Sequence, residues 1–381
     1  MRALIAGAFL AASVAGIAYL ALALQRTVAF GRRGAGGLES TERTPPATIL
    51  KPLRGLEPNL LENLSSFCDQ DYPDFQVIFG VRDADDPVVA VAREVIARFP
   101  ARDVGLVIDS RVHGSNLKIS NLMNMMASAK HDIIIVADSD IAVDRSYVRS
   151  IVPSFANDDV GAVSCLYRGV AIDRGCVREL GALFVNDQFA PSVLVAIAFS
   201  PMDFCLGATM AVTKKALGSI GGFAALASYL ADDQMLGKLV RQRGLRVELC
   251  PAVVELSVGD PSFGELWDHE IRWARTMHAA QPWGFSFSFI TYALPLAAGY
   301  ALVSGNAALA AAVVGIAAAL RVSLHYAVRR ALAIRAPDSA WLIPIRDVLG
   351  LAVWVAHFFG RGVRWRGCQY NVDSQGRLRE I

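Results

Sequence analysis

Asp138-Ser139-Asp140 directly follows the apolar run 132–137, DIIIVA. Two carboxylates two residues apart at a strand end can bracket a hard divalent cation, which would in turn neutralise a diphosphate. An ordinary polar turn also accounts for so short a pattern. Asp83 lies in a second acidic stretch, Arg82-Asp83-Ala84-Asp85-Asp86-Pro87. Asp86 suits the N-cap of a helix starting at Pro87, which leaves Asp83 to accept hydrogen bonds from a base or ribose. Lys118, after Asn116-Leu117, opens a helix against the helix dipole. A bound anion would explain it, and so would plain solvation. Asp232-Asp233 begins the helix before Gln234–Gln242. Asp there is usually a cap, and if Asp232 caps, Asp233 faces a cleft. His269-Glu270-Ile271-Arg272-Trp273 sits on an amphipathic helix read over 262–279, just before a long apolar block. It suits an interfacial anchor, or Arg272 suits a diphosphate leaving group.

These residues need a scaffold that brings strand ends together. Strand and helix signals alternate over 47–260. Strands are expected at 48–50, 75–81, 104–108 and 132–137, with helices at 57–68, 87–99 and 116–130. Such repetition implies a mainly parallel, Rossmann-like α/β sheet covered by helices on both faces, and ligands in such sheets bind beyond the carboxyl ends of strands. There is no GxGxxG and no Walker A loop, which argues against a dinucleotide oxidoreductase and a P-loop NTPase.

The ends of the chain are apolar. Of 381 residues 54% are hydrophobic and only 19% charged, with a net charge of +2, so no basic field for nucleic acid exists. Residues 3–24 carry no charge, enough to span ~30 Å of hydrocarbon, and too long for the core of a cleaved signal peptide. Residues 284–320 carry none either. As one helix they would reach ~55 Å, so Ser304-Gly305-Asn306 is read as a turn between antiparallel helices at 285–303 and 306–328. Residues 341–360 are interrupted by Arg346 and Asp347, and an interfacial or re-entrant segment is expected. The resulting division is an anchor at 1–25, a linker at 26–46, a catalytic domain at 47–260, an interfacial helix at 261–284 and a membrane region at 285–381. Arg26, Arg32, Arg33 and Arg43 follow the anchor and only Arg2 precedes it, which places the middle of a multi-pass chain in the cytoplasm. The six cysteines include no CxxC pair and read as reduced thiols on that side.

Taken in order, Asp83, Asp138-Ser-Asp140, Asp233 and HxxRW from 269 resemble the D, D, D, (Q/R)xxRW pattern of membrane glycosyltransferases with the GT-A fold, and most of all the ceramide glucosyltransferase-like family. Residues 49–73 (ILKPLRGLEPNLLENLSSFCDQDYP), SNLKISNLMN, FCLGATMAVTKKAL, YLADDQMLGKLVRQRG and HEIRWARTM carry the likeness. Within that family, QDYPDFQVIFGVRDADDP, HDIIIVADSDI and HEIRWART look most like the bacterial hopanoid-biosynthesis-associated members. The resemblance implies an inverting transferase in a bacterial inner membrane, moving a sugar from a UDP-sugar to a lipid hydroxyl, a hopanoid polyol or a ceramide. It implies that Asp83 contacts the nucleoside and that Lys118 lies at the donor. Asp138 and Asp140 would hold Mg²⁺ or Mn²⁺ beside the diphosphate, Asp233 would be the general base, and Arg272 and Trp273 would lie at the diphosphate. His269 departs from the usual Gln or Arg but can still donate a hydrogen bond to the donor. A processive polysaccharide synthase shares the pattern but needs more helices for its channel. A degenerate scaffold would not keep all three aspartates and the RW pair.

Overall fold

The computed structural model describes residues 1–35 and 44–359, with the backbone of three short strands after them, β9–β11 (Gly362–Trp365, Cys368–Val372, Leu378–Glu380). Arg361 and Arg366, which flank the last apolar segment, lie outside the described residues. The main strands are β1 (Ala47–Leu53), β2 (Phe75–Val81), β3 (Asp103–Ile108), β4 (Ile133–Val136), β5 (Ile141–Ala142), β6 (Val160–Ala171), β7 (Met210–Thr213) and β8 (Arg246–Val258). The helices are α1 (Arg2–Ala35), α2 (Leu60–Cys68), α3 (Val88–Arg98), α4 (Leu117–Met125), α5 (Tyr147–Ile151), α6 (Cys176–Leu183), α7 (Ala190–Phe199), α8 (Lys214–Ser219), α9 (Asp232–Gln242), α10 (Phe263–Ala280), α11 (Pro282–Ser286), α12 (Ala293–Val303), α13 (Ala307–Ala331) and α14 (Ile343–Ala356).

Two compact units result. The sheet unit comprises residues 44–167 and Ser200–Ser257. Its eight strands run β3-β2-β1-β4-β7-β6-β8-β5. The first four pair in parallel, and β7 runs antiparallel to both β4 and β6. Every residue of β1, β2 and β4 is buried, as expected of strands covered on both faces. Register sets Leu50 opposite Val136 and Leu53 opposite Val81, so the loops carrying Asp83 and Asp138 leave the same edge. The core beneath them joins Ile49, Phe67, Phe79, Ile135 and Val163.

The helical unit comprises α1, Arg168–Phe199 and the described residues from Val258 to 359. Here α1 packs on α7, α12 and α13, and Leu180, Leu266, Ile271, Leu349 and Val353 form a second core. Among the described residues, three helices are long and apolar enough to cross a membrane: Arg2–Arg33, Cys176–Phe199 and Ala307–Ala331. The first and third match expectation, although α1 continues through 26–35, read from sequence as linker. The second lies inside the stretch expected to belong wholly to the sheet domain; a π-helical turn, Phe184–Phe189, joins its two α-helical halves. The expected helix at 285–303 is a correction. It breaks into α11, a 3₁₀ turn over Ser288–Thr291 and the 11-residue α12. The break falls in an aromatic and Ser-rich run before Pro295, where aromatic and hydroxyl side chains form helix poorly. At 14 residues α14 is only ~21 Å long.

Candidate active site

The sheet unit gathers an unusual number of acidic groups. Asp138 lies just beyond β4, at the carboxyl edge of the parallel strands. Lys118 meets it from the start of α4, with Nζ 2.7 Å from Asp138 Oδ1 and 3.5 Å from Asp232 Oδ2. Asn116 caps α4, its Oδ1 accepting from the Ile119 N–H at 3.1 Å. Its amide also donates to Asp232 Oδ1 at 3.3 Å and to the Tyr229 carbonyl at 2.8 Å, tying α4 to the entry of α9. Plain solvation does not account for Lys118, whose side chain is only 15% exposed. Its charge is met within the chain by two carboxylates. Burial alone would lower its pKa, but those carboxylates outweigh the cost and hold it above the ordinary value.

Asp232 is likewise not the helix cap expected. It is buried, accepts a hydrogen bond from Asn116 and lies in ion-pair range of Lys118, and no side chain caps α9. Asp233 is left half-buried, its Oδ1 accepting from the Gln234 N–H at 2.8 Å. Two glycines set its surroundings. A Cβ on Gly237 would come within 2.3 Å of Phe204 Cα, so only glycine lets α9 lie directly on the 204–207 loop. A Cβ on Gly207 would stand 3.3 Å from Asp233 Oδ2 and 3.5 Å from Asp138 Oδ2. The bare backbone of Gly207 thus leaves a space onto which both carboxylates face.

Asp140 closes the cluster from below. Its Oδ1 is buried and has no hydrogen-bond partner, as is true of Glu57 Oε2. Burial, with Asp138 and Glu57 adding repulsion, pushes Asp140 up to about 7. Burial and the neighbouring Asp232 push Asp233 up to about 6. Lys51, wholly buried in β1, donates to the Asp138 carbonyl and lies over the Phe67 ring at 3.7 Å; burial lowers it to about 7. Sequence reasoning passed over Lys51, Glu57, Asn116 and Gly207. The one local signal was a lysine inside the otherwise apolar run 49–53.

Among the described residues no three His, Cys, Asp or Glu side chains form a metal cage. The residues nevertheless fit a hard cation held partly by its ligand: two carboxylates, an orphaned buried Asp140 oxygen and the open space at Gly207. Asp83 is exposed, and its Oδ1 accepts from the Asp85 N–H at 3.0 Å. Asp86 accepts from the Val88 and Gly55 N–H groups, but it is not the N-cap expected of it: α3 begins at Val88, its N-cap position is Pro87, and that residue makes no side-chain cap.

His269, Arg272 and Trp273 belong to the helical unit, on α10. Ser262 caps that helix, its Oγ accepting from the Glu265 N–H at 3.3 Å. His269 Nδ1 lies 3.2 Å from Asp260 Oδ2. Its ring meets Trp273 edge-on, with centroids 4.4 Å apart.

Comparison with known proteins gives a consistent result. The sequence profile described as Glycosyl transferase family 21 matches residues 8–378. Ceramide glucosyltransferase 3 of Caenorhabditis elegans is 27% identical over 243 residues, 62% of this chain and 52% of that protein. Ceramide glucosyltransferase of Komagataella phaffii is 34% identical over 100 residues, 25% of this chain and 20% of that protein. The chain thus spans about half the length, at most, of the curated relatives it matches. Among solved structures, the mannosyltransferase PcManGT from Pyrobaculum calidifontis, in complex with GDP-Man and Mn²⁺, superposes with a TM-score of 0.54 at 20% identity, covering 91% of this chain and 99% of that one. The sheet unit therefore has the GT-A-like glycosyltransferase fold expected from its sequence.

Proposed function

The chain belongs to glycosyl transferase family 21, and from that premise we propose that it moves a sugar from a nucleoside diphosphate to a lipid hydroxyl in one inverting step. The observation that carries this reading is the surplus of partly buried carboxylate in the sheet unit: among the described residues, Asp138, Asp140, Glu57, Asp232 and Asp233 gather around two lysines, Lys51 and Lys118. A cluster so short of positive charge is built to receive a cation with its anionic ligand.

Asp233 is the general base. Its raised pKa makes it a better proton acceptor than an ordinary carboxylate, and the space at Gly207 lets an acceptor hydroxyl reach it. As Asp233 takes that proton, the oxygen attacks the anomeric carbon from the face opposite the diphosphate, giving inversion. Asp138 and Asp140 would hold Mg²⁺ or Mn²⁺, which when bound supplies charge neutralisation for the departing diphosphate. Lys118 contributes a fixed positive charge there, and Asp83 orients the nucleoside. His269, Arg272 and Trp273 enter this reading from the sequence motif: Arg272 offers the planar donor fork suited to phosphate.

The apolar helices support a membrane-embedded acceptor. On the likeness of QDYPDFQVIFGVRDADDP and HEIRWART, the acceptor is a hopanoid polyol and the donor UDP-N-acetylglucosamine. Ceramide with UDP-glucose is the second reading, favoured by the names of the relatives. Lipid mass spectrometry of cells with and without the chain separates them: a hexosamine-bearing hopanoid supports the first, a hexosylceramide the second. No change in glycolipid content overturns both.

A further inference from the structure

The helical unit contains a chain of contacts that the proposed chemistry does not use. Glu270, on α10 between His269 and Arg272, is 3% exposed. Its carboxylate receives a two-pronged bond from Arg346 of α14, Nη1–Oε1 at 2.5 Å and Nη2–Oε2 at 2.7 Å. Arg346 is wholly buried; its Nη1 also reaches the Leu180 carbonyl at 3.3 Å, and its guanidinium lies 5.5 Å from the Phe184 ring centre. Phe184 in turn packs on Trp273 at 5.4 Å. Trp273 is therefore held between His269, itself anchored by Asp260, and Phe184, backed by Arg346. The next residue of α14, Asp347, takes Arg321 of α13 at 3.0–3.1 Å, and Arg321 continues to Asp187 at 2.9 Å.

We propose that Arg346 is a positioning residue for glycosyl transfer, fixing the rotation of α10 through Glu270 and Phe184 so that Arg272 and Trp273 keep one orientation; the proposal rests on the assignment of these two residues to the leaving group. A bidentate guanidinium–carboxylate pair has two-point geometry and resists rotation about the helix axis. Displacements of about 1 Å in such supports can cost about 100-fold in rate. An adjacent pair of opposite charges, each gripping a different helix, also ties the orientation of α10 to that of α13.

The test uses the full chain in detergent, with kcat and donor KM measured per folded molecule after gel filtration. Four proteins are compared: wild type, Arg346→Lys, Arg272→Ala and the double variant. Lysine keeps the charge and loses the fork. We expect Arg346→Lys to lower kcat about tenfold or more, with donor KM within about twofold. In the Arg272→Ala background the same change should cost less than about twofold, because the group being positioned is gone. Glu270→Gln should give the same pattern from the other side of the contact. Full additivity in the double variant, or an unchanged kcat per folded molecule in Arg346→Lys and Glu270→Gln, overturns the positioning role alone. Wild-type kcat in Arg272→Ala overturns the leaving-group assignment and the positioning role together.

Discussion

The two units bury charge in opposite ways. In the helical unit, Asp187, Asp347 and Glu270 face Arg321, Arg346 and His325, and each carboxylate has a guanidinium or imidazole nitrogen within 3.1 Å. His325 Nδ1 lies 2.7 Å from Asp187 and its Nε2 3.0 Å from Asp338. In the sheet unit the carboxylates outnumber the ammonium groups, and burial with like-charged neighbours pushes Asp140 and Asp233 above their ordinary range. A matched set holds helices together. An unmatched one leaves charge that, on the proposed function, a ligand would complete. The comparison teaches that the number of buried charges is uninformative about function until the balance of their signs is known.

That contrast can be broken from either side. The largest effect is expected for Asp233→Asn, which should lower turnover about 10²–10⁴-fold while leaving donor binding intact; near-normal turnover of the purified variant would remove Asp233 from the base position. Next, Arg321→Met strands Asp187 and Asp347, and breaking such a buried pair costs about 3–5 kcal/mol. The expected outcome is loss of the monodisperse folded protein on gel filtration. Asp140→Asn should do the reverse in the sheet unit. Its pKa of about 7 lies above the unfolded value near 4, so stability is present at low pH and lost as pH rises from about 4 to 7. Removing the charge should raise the thermal midpoint at pH 8 by the equivalent of about 1 kcal/mol, while activity falls. A lower midpoint would show that Asp140 is paired after all. The smallest effect concerns pH. Because Asp233 must be ionised and its pKa is raised to about 6, kcat/KM at saturating divalent cation should fall about tenfold per unit below about pH 6. An acid limb near pH 4 would place the base in an ordinary environment.

The sheet unit was legible because parallel strands buried on both faces read as apolar runs, and Asp83 and Asp138 mark where two of them end. The charge balance was not legible. Lys51 is separated from Asp138 by 87 residues, and the local sequence says nothing of their meeting. The same holds for Cys176–Phe199, whose apolar character is interrupted by Arg178, Glu179 and Asp187. The neutralising partner of Asp187, Arg321, lies 134 residues away, so the segment does not announce itself as a membrane helix. Arg346 and Asp347 illustrate the converse. Their charges led to the expectation of a shallow segment at 341–360, yet both are buried and paired within the helical unit. At 14 residues α14 is short for a span; the proposal that this segment does not cross and that its far end is cytoplasmic would be overturned by periplasmic alkaline phosphatase activity of a reporter fused after Ile381.

The central claim is that the unmatched carboxylates of the sheet unit form a divalent-cation site completed by the donor. It is tested most directly by measuring glycosyl transfer with metal-free, detergent-solubilised protein in excess EDTA, then restoring Mg²⁺ or Mn²⁺. The account predicts transfer that vanishes with chelator, returns with either cation in the wild type, and does not return in Asp138→Asn or Asp140→Asn. Full transfer by the metal-free protein in EDTA would contradict it.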